Sequence, residues 1–298
     1  MTRAYVDRRV TDMTWATEAA VHAAKQWKLP APVTIRQGMN AIFQCGDTVL
    51  RVATPNASAQ ASLDLAETLA DQEIGVLRSR RAAPIEVNGF EVTAWPFVEA
   101  VPAPIDWVAV GAIVRRVHDV AASSLPAQLP QPSPTDFPWW DHATMLAEVG
   151  SRLDARAEAG IRAAIERHRG WDDFVGSDRV VVCHGDVHPG NVIMGVDGPV
   201  LIDWDLLCLA PRGWDHAALM TWTARWGGDP NVYESFVDGY GWSARDDRHA
   251  EAFAELRLVA ATLMRWKVAL VDPAARLEAE RRLAYWRGDA DAPAWRPQ

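Results

Sequence analysis

Residues 183–191 read CHGDVHPGN, and the chemistry of these nine residues decides what the rest of the chain must support. Two histidines, an aspartate and an asparagine stand among two glycines and a proline. A metal site, the opening of a metallophosphatase and the catalytic loop of a kinase all use such clusters, and so does a polar turn with no chemistry. His184 and His188 are four residues apart and would converge on one ion if they lay on a helix. Pro189-Gly190, and the β-branched run RVVVC before the cluster, disfavour a helix. Gly185-Asp186-Val187-His188 matches the GDxH of a metallophosphatase, but a two-metal site needs further carboxylate, Asn-His and His ligands. Val192 follows Asn191 where a histidine would be needed, and no second ligand block of that kind occurs.

The spacing His184-x-Asp186-x-x-x-x-Asn191 fits the kinase pattern H-x-D-x-x-x-x-N. That pattern predicts a partner: after a short hairpin, an aspartate at the end of an apolar strand. The run PVLID (199–203) supplies Asp203. The chemistry explains the spacing. The loop aspartate must reach an acceptor hydroxyl, while an asparagine and a second carboxylate grip the metal on the nucleotide phosphates. In-line transfer requires these groups to converge on one phosphorus.

Outward from this centre, TWATEAAVHAAKQW (14–27) has helical apolar spacing. The run 33–53 reads as three β-branched segments cut by Gly38-Met39-Asn40 and Gly46-Asp47. A helix is expected from Ser58 to Asp71, and Asn88-Gly89 centres a hairpin in EVNGFEVTAW (86–95). About five strands with one helix inserted after the third follow from this. Beyond Pro96 the pattern turns helical: Asp106 can cap a helix carrying Trp107, Val110, Val114, Val117 and Ala121 on one face. A proline-rich loop (126–138), helices over about 141–168, a β island around the cluster and helix from about 214 to Ala284 complete the chain.

The block CHGDVHPGNVIM…PVLIDWDLLCLAPRGWDHAAL resembles the core of the aminoglycoside phosphotransferase-like family of small-molecule and antibiotic kinases. VGAIVRRVHDV is similar to that family's Leu-His-ended helix, and QGMNAIFQCGDTVLRV to its nucleotide-loop strands. The resemblance implies an α+β, two-lobed protein-kinase-like fold. A small antiparallel-sheet N-lobe (1–98) would bind nucleotide, and a larger, mainly helical C-lobe (99–298) would carry the catalytic loop and the acceptor site. Position by position, Asp186 is the implied catalytic base, and Asn191 and Asp203 are the implied Mg²⁺ ligands. His184 would brace the loop, and His188 would stabilise transferred charge. Gly38 and Asn40 would cover the phosphates of ATP or GTP. The junction from Trp95 to Val98, with Phe97 in it, would read the base.

Two positions depart from the family pattern. Arg51 stands in TVLRV where a lysine is usual, keeping the charge on a planar fork. The inserted helix places Ser62 where a glutamate partner is usual, with Asp64 and Glu67 nearby, so the acidic partner of Arg51 is unassigned. These departures motivate a second reading, a nucleotide-binding pseudokinase acting as a binding module; Asp186, Asn191 and Asp203 stand against it. Asp205, Asp215, Trp139 and Trp140 are candidates for contact with the acceptor, although capping, bracing and packing explain each as well. His118 reads as a hydrogen-bonded packing residue.

The 298 residues are 49% hydrophobic and 23% charged, as in ordinary globular proteins. A net charge of −9 disfavours a nucleic-acid partner, which needs basic surface, and is compatible with a cationic acceptor. Cys45, Cys183 and Cys208 form no CxxC pair, so neither a disulfide framework nor a zinc site is expected. No run reaches 18 apolar residues and MTRAYVDRRV lacks an apolar signal core; a cytoplasmic monomer or homodimer with no membrane partner is expected.

Overall fold

The computed structural model describes residues 10–54, 59–125, 129–135 and 137–296. The alanine-rich run near the start is helix α1 (Met13–Gln26), capped by Asp12, whose side chain accepts from the N–H of Trp15. Its buried face is Ala16, Ala19, Ala20, Ala23 and Ala24. Side chains this small let the helix lie close on a sheet. That sheet has five antiparallel strands, β1 (Val33–Gln37), β2 (Ala41–Cys45), β3 (Thr48–Ala53), β4 (Ile85–Val87) and β5 (Phe90–Pro96), in the order β1-β2-β3-β5-β4. Side chains alternate across a strand, so Phe43, Leu50 and Val92 bury against α1. Ile42, Val49 and Arg51 face the other way, into a cavity. The hairpin predicted at Asn88-Gly89 joins β4 to β5, with φ of 51° and 81° as a type I′ turn requires. Helix α2 (Ala59–Asp71) is inserted after the third strand; its predicted first residue, Ser58, lies outside the described residues.

The rest is mainly helical. Asp106 caps α3 (Trp107–His118) by accepting from the N–H of Ala109, and Trp107, Val110, Val114 and Val117 are buried, while Ala121 lies past the helix end, exposed. In the proline-rich stretch residues 129–135 and 137 are not helical, while Pro138 opens a short 3-10 turn over Pro138–Trp140; residues 126–128 and 136 lie outside the described residues. Helices α4 (His142–Val149) and α5 (Ala155–Arg167) follow. The β island resolves into two ribbons. Strand β6 (Val181–Cys183) pairs with β9 (Cys208–Ala210), and β7 (Val192–Gly195) pairs with β8 (Gly198–Leu201). The sequence did not single out β9; three residues of LCLA carry no alternation of their own. Helices α6 (Gly213–Met220), α7 (Trp222–Trp226), α8 (Val232–Tyr240), α9 (Arg248–Ala269) and α10 (Arg276–Trp286) complete the fold. Helix α3 packs on α8 so closely that a Cβ on Gly111 would fall 2.1 Å from the carbonyl oxygen of Phe236. Among the described residues, no helix is long and apolar enough to cross a membrane.

Two buried histidines give the helical part a pH dependence. Burial pushes His142 down to about 4, and pushes His216 down to about 3, with the His118 ring adding to the effect. Unfolded histidine titrates near ~6.5. Both folded values lie below it, so between those limits the unfolded chain binds more protons. The stability from keeping these rings neutral is therefore whole above about pH 6.5 and is lost as pH falls. Each ring adds a slope approaching ~1.4 kcal/mol per pH unit in that window. The urea midpoint should drop between pH 7 and pH 5, and His216→Asn should flatten the drop. An equally steep drop in His216→Asn would contradict this account.

Candidate active site

The cluster 183–191 begins where β6 leaves β9. Its backbone turns at Gly185 with φ of +90°, and a Cβ there would lie 2.1 Å from the carbonyl oxygen of Leu206. Only glycine satisfies both constraints. Asp215, in the first turn of α6, then fixes the turn. Its carboxylate accepts from the N–H of His184 (2.8 Å) and of Gly185 (2.7 Å), and Oδ2 lies 3.0 Å from Nε2 of His118. Nδ1 of His118 is 2.7 Å from the hydroxyl of Tyr240. Burial alone would raise the Asp215 carboxyl; His118 and the loop N–H groups outweigh it and hold the group below the ordinary range.

His184 is fully buried. Its Nδ1 accepts from the N–H of Asp186 (3.2 Å), which leaves Nε2 to donate to the carbonyl of Ile202 (3.2 Å). One neutral tautomer is thereby fixed, and burial keeps it neutral by lowering the pKa. The ring also lies against Trp204, with centroids 4.4 Å apart.

Asp186 stands at the open side of this scaffold. Nδ2 of Asn191 donates to its carbonyl (2.9 Å) and to Oδ2 (3.0 Å), and Nε2 of His188 lies 3.4 Å from Oδ2. His188 is held in turn by accepting at Nδ1 from the N–H of Gly190 (3.1 Å). Oδ1 is engaged by Nη2 of Arg257, from α9. Burial would raise the Asp186 carboxyl, but Arg257 and then His188 hold it well below the carboxylate range.

Asp203 follows β8 in the left-handed region, with φ of 64° and ψ of 65°, at the start of a short 3-10 turn over Trp204–Leu206. The cleft walls strip hydration from its carboxyl, and Asp205 and Asp186 add negative charge, so it rises to about 6 despite partial offset by Arg51 and His184. Nη2 of Arg51 on β3 pairs with Oδ2 of Asp205 across the cleft. The α2 residues that face this region, Ser62, Leu65, Ala66 and Leu69, are uncharged, while Glu67 pairs with Arg78 and Asp64 accepts from Gln60. Among the described residues, Asp205 in the loop after β8 is thus an acidic partner of Arg51.

Above these residues is a cavity of about 410 Å³. Gly38 and Asn40 of the first loop line one side, Trp95, Phe97 and Val98 another, and Asp203 and Asp205 the base. The N–H of Phe97 is taken by the carbonyl of Asp47 at 2.8 Å. For a divalent cation, Asn191 and Asp203 offer oxygen donors. Asn191 has its Nδ2 committed to Asp186, which leaves Oδ1 for a cation, and the charges that raise the proton affinity of Asp203 favour a divalent ion in the same way. An oxygen-only set of this kind suits Mg²⁺.

Three of the suggested acceptor contacts have other duties. Asp215 is buried with both oxygens engaged, so it braces the loop. Trp140 is 4% exposed and packs against both Trp171 and Trp214, inside the core. Asp205 is bound to Arg51. Trp139 is half-buried with its ring edge-on to Phe137, away from the cavity lining. His118 is hydrogen-bonded packing, as the sequence suggested. Arg257 was not foreseen: it lies 71 residues from Asp186 on a helix with no motif around it.

A five-stranded sheet over a helical body, with an H-x-D-x-x-x-x-N loop and an aspartate after the next hairpin at the junction, defines a kinase-like protein. The model of the "Phosphotransferase enzyme family" matches residues 40–256, most of the chain, and the chain belongs to that family. Among solved structures it is similar to a spectinomycin phosphotransferase in complex with ADP and spectinomycin, at 19% identity over 89% of this chain and 94% of that one, TM-score 0.62. It is similar to a choline/ethanolamine kinase family protein from Mesorhizobium loti, at 17% identity over 93% and 94%, TM-score 0.64. A third is the GDP complex of aminoglycoside 2'-phosphotransferase-IIIa, at 12% identity over 91% and 99%, TM-score 0.68. These likenesses establish the two-lobed protein-kinase-like fold. No curated protein matches the chain at a significant level.

The bracing role of Asp215 has a direct test. Asp215→Ala would strand two buried N–H groups and leave His118 without its carboxylate. At about 1–3 kcal/mol for each orphaned group, the loss should be about 3 kcal/mol or more in urea denaturation. Asp215→Asn keeps an acceptor and should lose less. A cost under about 1 kcal/mol for Asp215→Ala would rule out the brace.

Proposed function

We propose that this chain is a small-molecule kinase that transfers the γ-phosphate of ATP or GTP to a hydroxyl of an aminoglycoside-like antibiotic, an amino sugar or a related metabolite. The part ending near residue 98 binds the nucleotide, and the part from 99 onward holds the catalytic loop and the acceptor. One observation carries the reading: Asp186, on a braced loop and clamped by Asn191, lies near enough to Asp203, which lines the cavity with Arg51, to raise the pKa of that carboxyl. Family membership supports it.

In the proposed reaction Asp186 orients the acceptor hydroxyl and takes its proton. The acceptor oxygen bonds to the γ-phosphorus as the bond from that phosphorus to the β-bridging oxygen breaks, and the nucleoside diphosphate leaves with the electron pair. Arg51 and His188 offset charge on the nucleotide phosphates and the transferred group. Magnesium, when bound, neutralises phosphate charge; Asn191 and Asp203 would hold it. Gly38 and Asn40 cover the phosphates, and the stretch from Trp95 to Val98 meets the base. The binding-module alternative is motivated by Arg51 in place of a lysine and by the missing glutamate on the inserted helix, and the Arg51–Asp205 pair weighs against it.

Asp186→Asn tests the reading in a magnesium-dependent turnover assay across aminoglycosides and amino sugars, with ATP and with GTP. Turnover should fall by ~10²–10⁴-fold, the usual worth of a positioned base, while nucleotide binding stays within a few-fold. Turnover near the wild-type level would overturn it.

A further inference from the structure

Arg257 sits on the atom that the reaction needs. Oδ2 of Asp186 already accepts from Nδ2 of Asn191 (3.0 Å) and faces Nε2 of His188 (3.4 Å). Oδ1 is therefore the oxygen left to receive an acceptor's proton, and Oδ1 is the oxygen that Nη2 of Arg257 engages. The nucleotide cavity takes the sheet side of the cleft, so an acceptor approaches from the helical side, where α9 carries Arg257. A hydroxyl that donates to Oδ1 comes within reach of the guanidinium.

That guanidinium has capacity to spare. It carries five N–H donors, and among the described residues its polar contacts end at Asp186. The side chain is 28% exposed, so the remaining donors face space that water reaches. A planar fork of open donors beside a reacting hydroxyl binds oxygen acceptors, best of all carboxylate or phosphate groups, which it can meet bidentately. It repels an ammonium at the same place. The pair with Asp186 also cancels the negative charge that would otherwise draw a cation to the base.

We infer that Arg257 is a specificity-determining residue of the acceptor site, selecting hydroxyl compounds that carry an anionic oxygen group beside the reacting hydroxyl and disfavouring ammonium groups there. The inference rests on the reading of Asp186 as the catalytic base. Within the proposed acceptors it favours members that place an anionic oxygen group beside the reacting hydroxyl, so an amino sugar or aminoglycoside would have to carry its ammonium groups elsewhere on the molecule.

The experiment uses the full chain with Mg²⁺ and a non-hydrolysable ATP analogue. Two matched triads are titrated: glucuronate, glucose and 6-amino-6-deoxyglucose, and glycerate, glycerol and 3-amino-1,2-propanediol. The wild type should bind the acid of at least one triad about tenfold or more tightly than its amine, as a charge-assisted contact predicts. Arg257→Gln should erase that ranking, and Arg257→Lys should keep part of it, because the charge remains while the fork is lost. Arg257→Gln shifting acid, neutral compound and amine by equal factors would mean that Arg257 only seats Asp186, and would overturn the inference. So would a wild type that prefers the amines or binds none of the six. Turnover with ATP separates the two readings. A missing charge ranking with Asp186-dependent turnover intact removes only the role of Arg257. An intact ranking without Asp186-dependent turnover on any acceptor removes the kinase reading.

Discussion

The buried carboxylate of Asp215 ties together elements that no local interaction would align. It receives the N–H groups of His184 and Gly185 from the loop and faces His118 from α3, while its own backbone belongs to α6. Dehydrating a carboxylate costs several kcal/mol, and a single counter-charge seldom offsets that; several directed donors together can. The loop position is therefore fixed by two helices of the large part of the fold rather than by whatever occupies the cleft. The thiols of Cys183 and Cys208, paired across β6 and β9 beside this carboxylate, are pushed well up by burial and stay inert packing.

A second polar contact links the sheet to this scaffold. Arg51 projects from β3 because period-two alternation turns it away from α1, and it meets Asp205 just past Asp203. The small part is thus coupled directly to the loop that presents Asp203. Helix α2 is released from that duty: Ser62 faces the cavity without a charge, and Glu67 is spent on Arg78. Arginine suits a longer reach between two backbones, since its fork keeps one geometry over more than one donor.

Much of this was legible in the residues, and the reason differs from element to element. The sheet was readable because short β-branched runs are cut by turns that carry their own glycine; Asn88-Gly89 allows little else. The loop was readable because His184, Asp186 and Asn191 lie within eight residues, so their geometry is local. The brace was half-readable: Asp215 and His118 were seen, but their meeting spans 97 residues and depends on how α3 and α6 pack. Arg257 was beyond reach for the same reason, since nothing in its own helix marks which arginine turns toward the loop. Trp140 misled because a tryptophan after a proline-rich loop reads alike in a core and in a binding site, and only packing against Trp171 and Trp214 separates them.

The charge of the whole chain and the charge of the site point in different directions. Nine net negative charges spread over a surface act at a distance and are screened beyond about 8 Å in physiological salt. At the cleft, the carboxylates are matched one by one: Asp186 by Arg257, Asp205 by Arg51, Asp215 by His118 and two N–H groups. Asp203 is different, having no ion pair among the described residues and a pKa drawn up to about 6 by its walls and its neighbours. A group in that state gains more from a divalent cation than any of the neutralised ones. The cleft thus concentrates its unmet negative charge at Asp203, while the open donors of a single arginine stand beside Asp186.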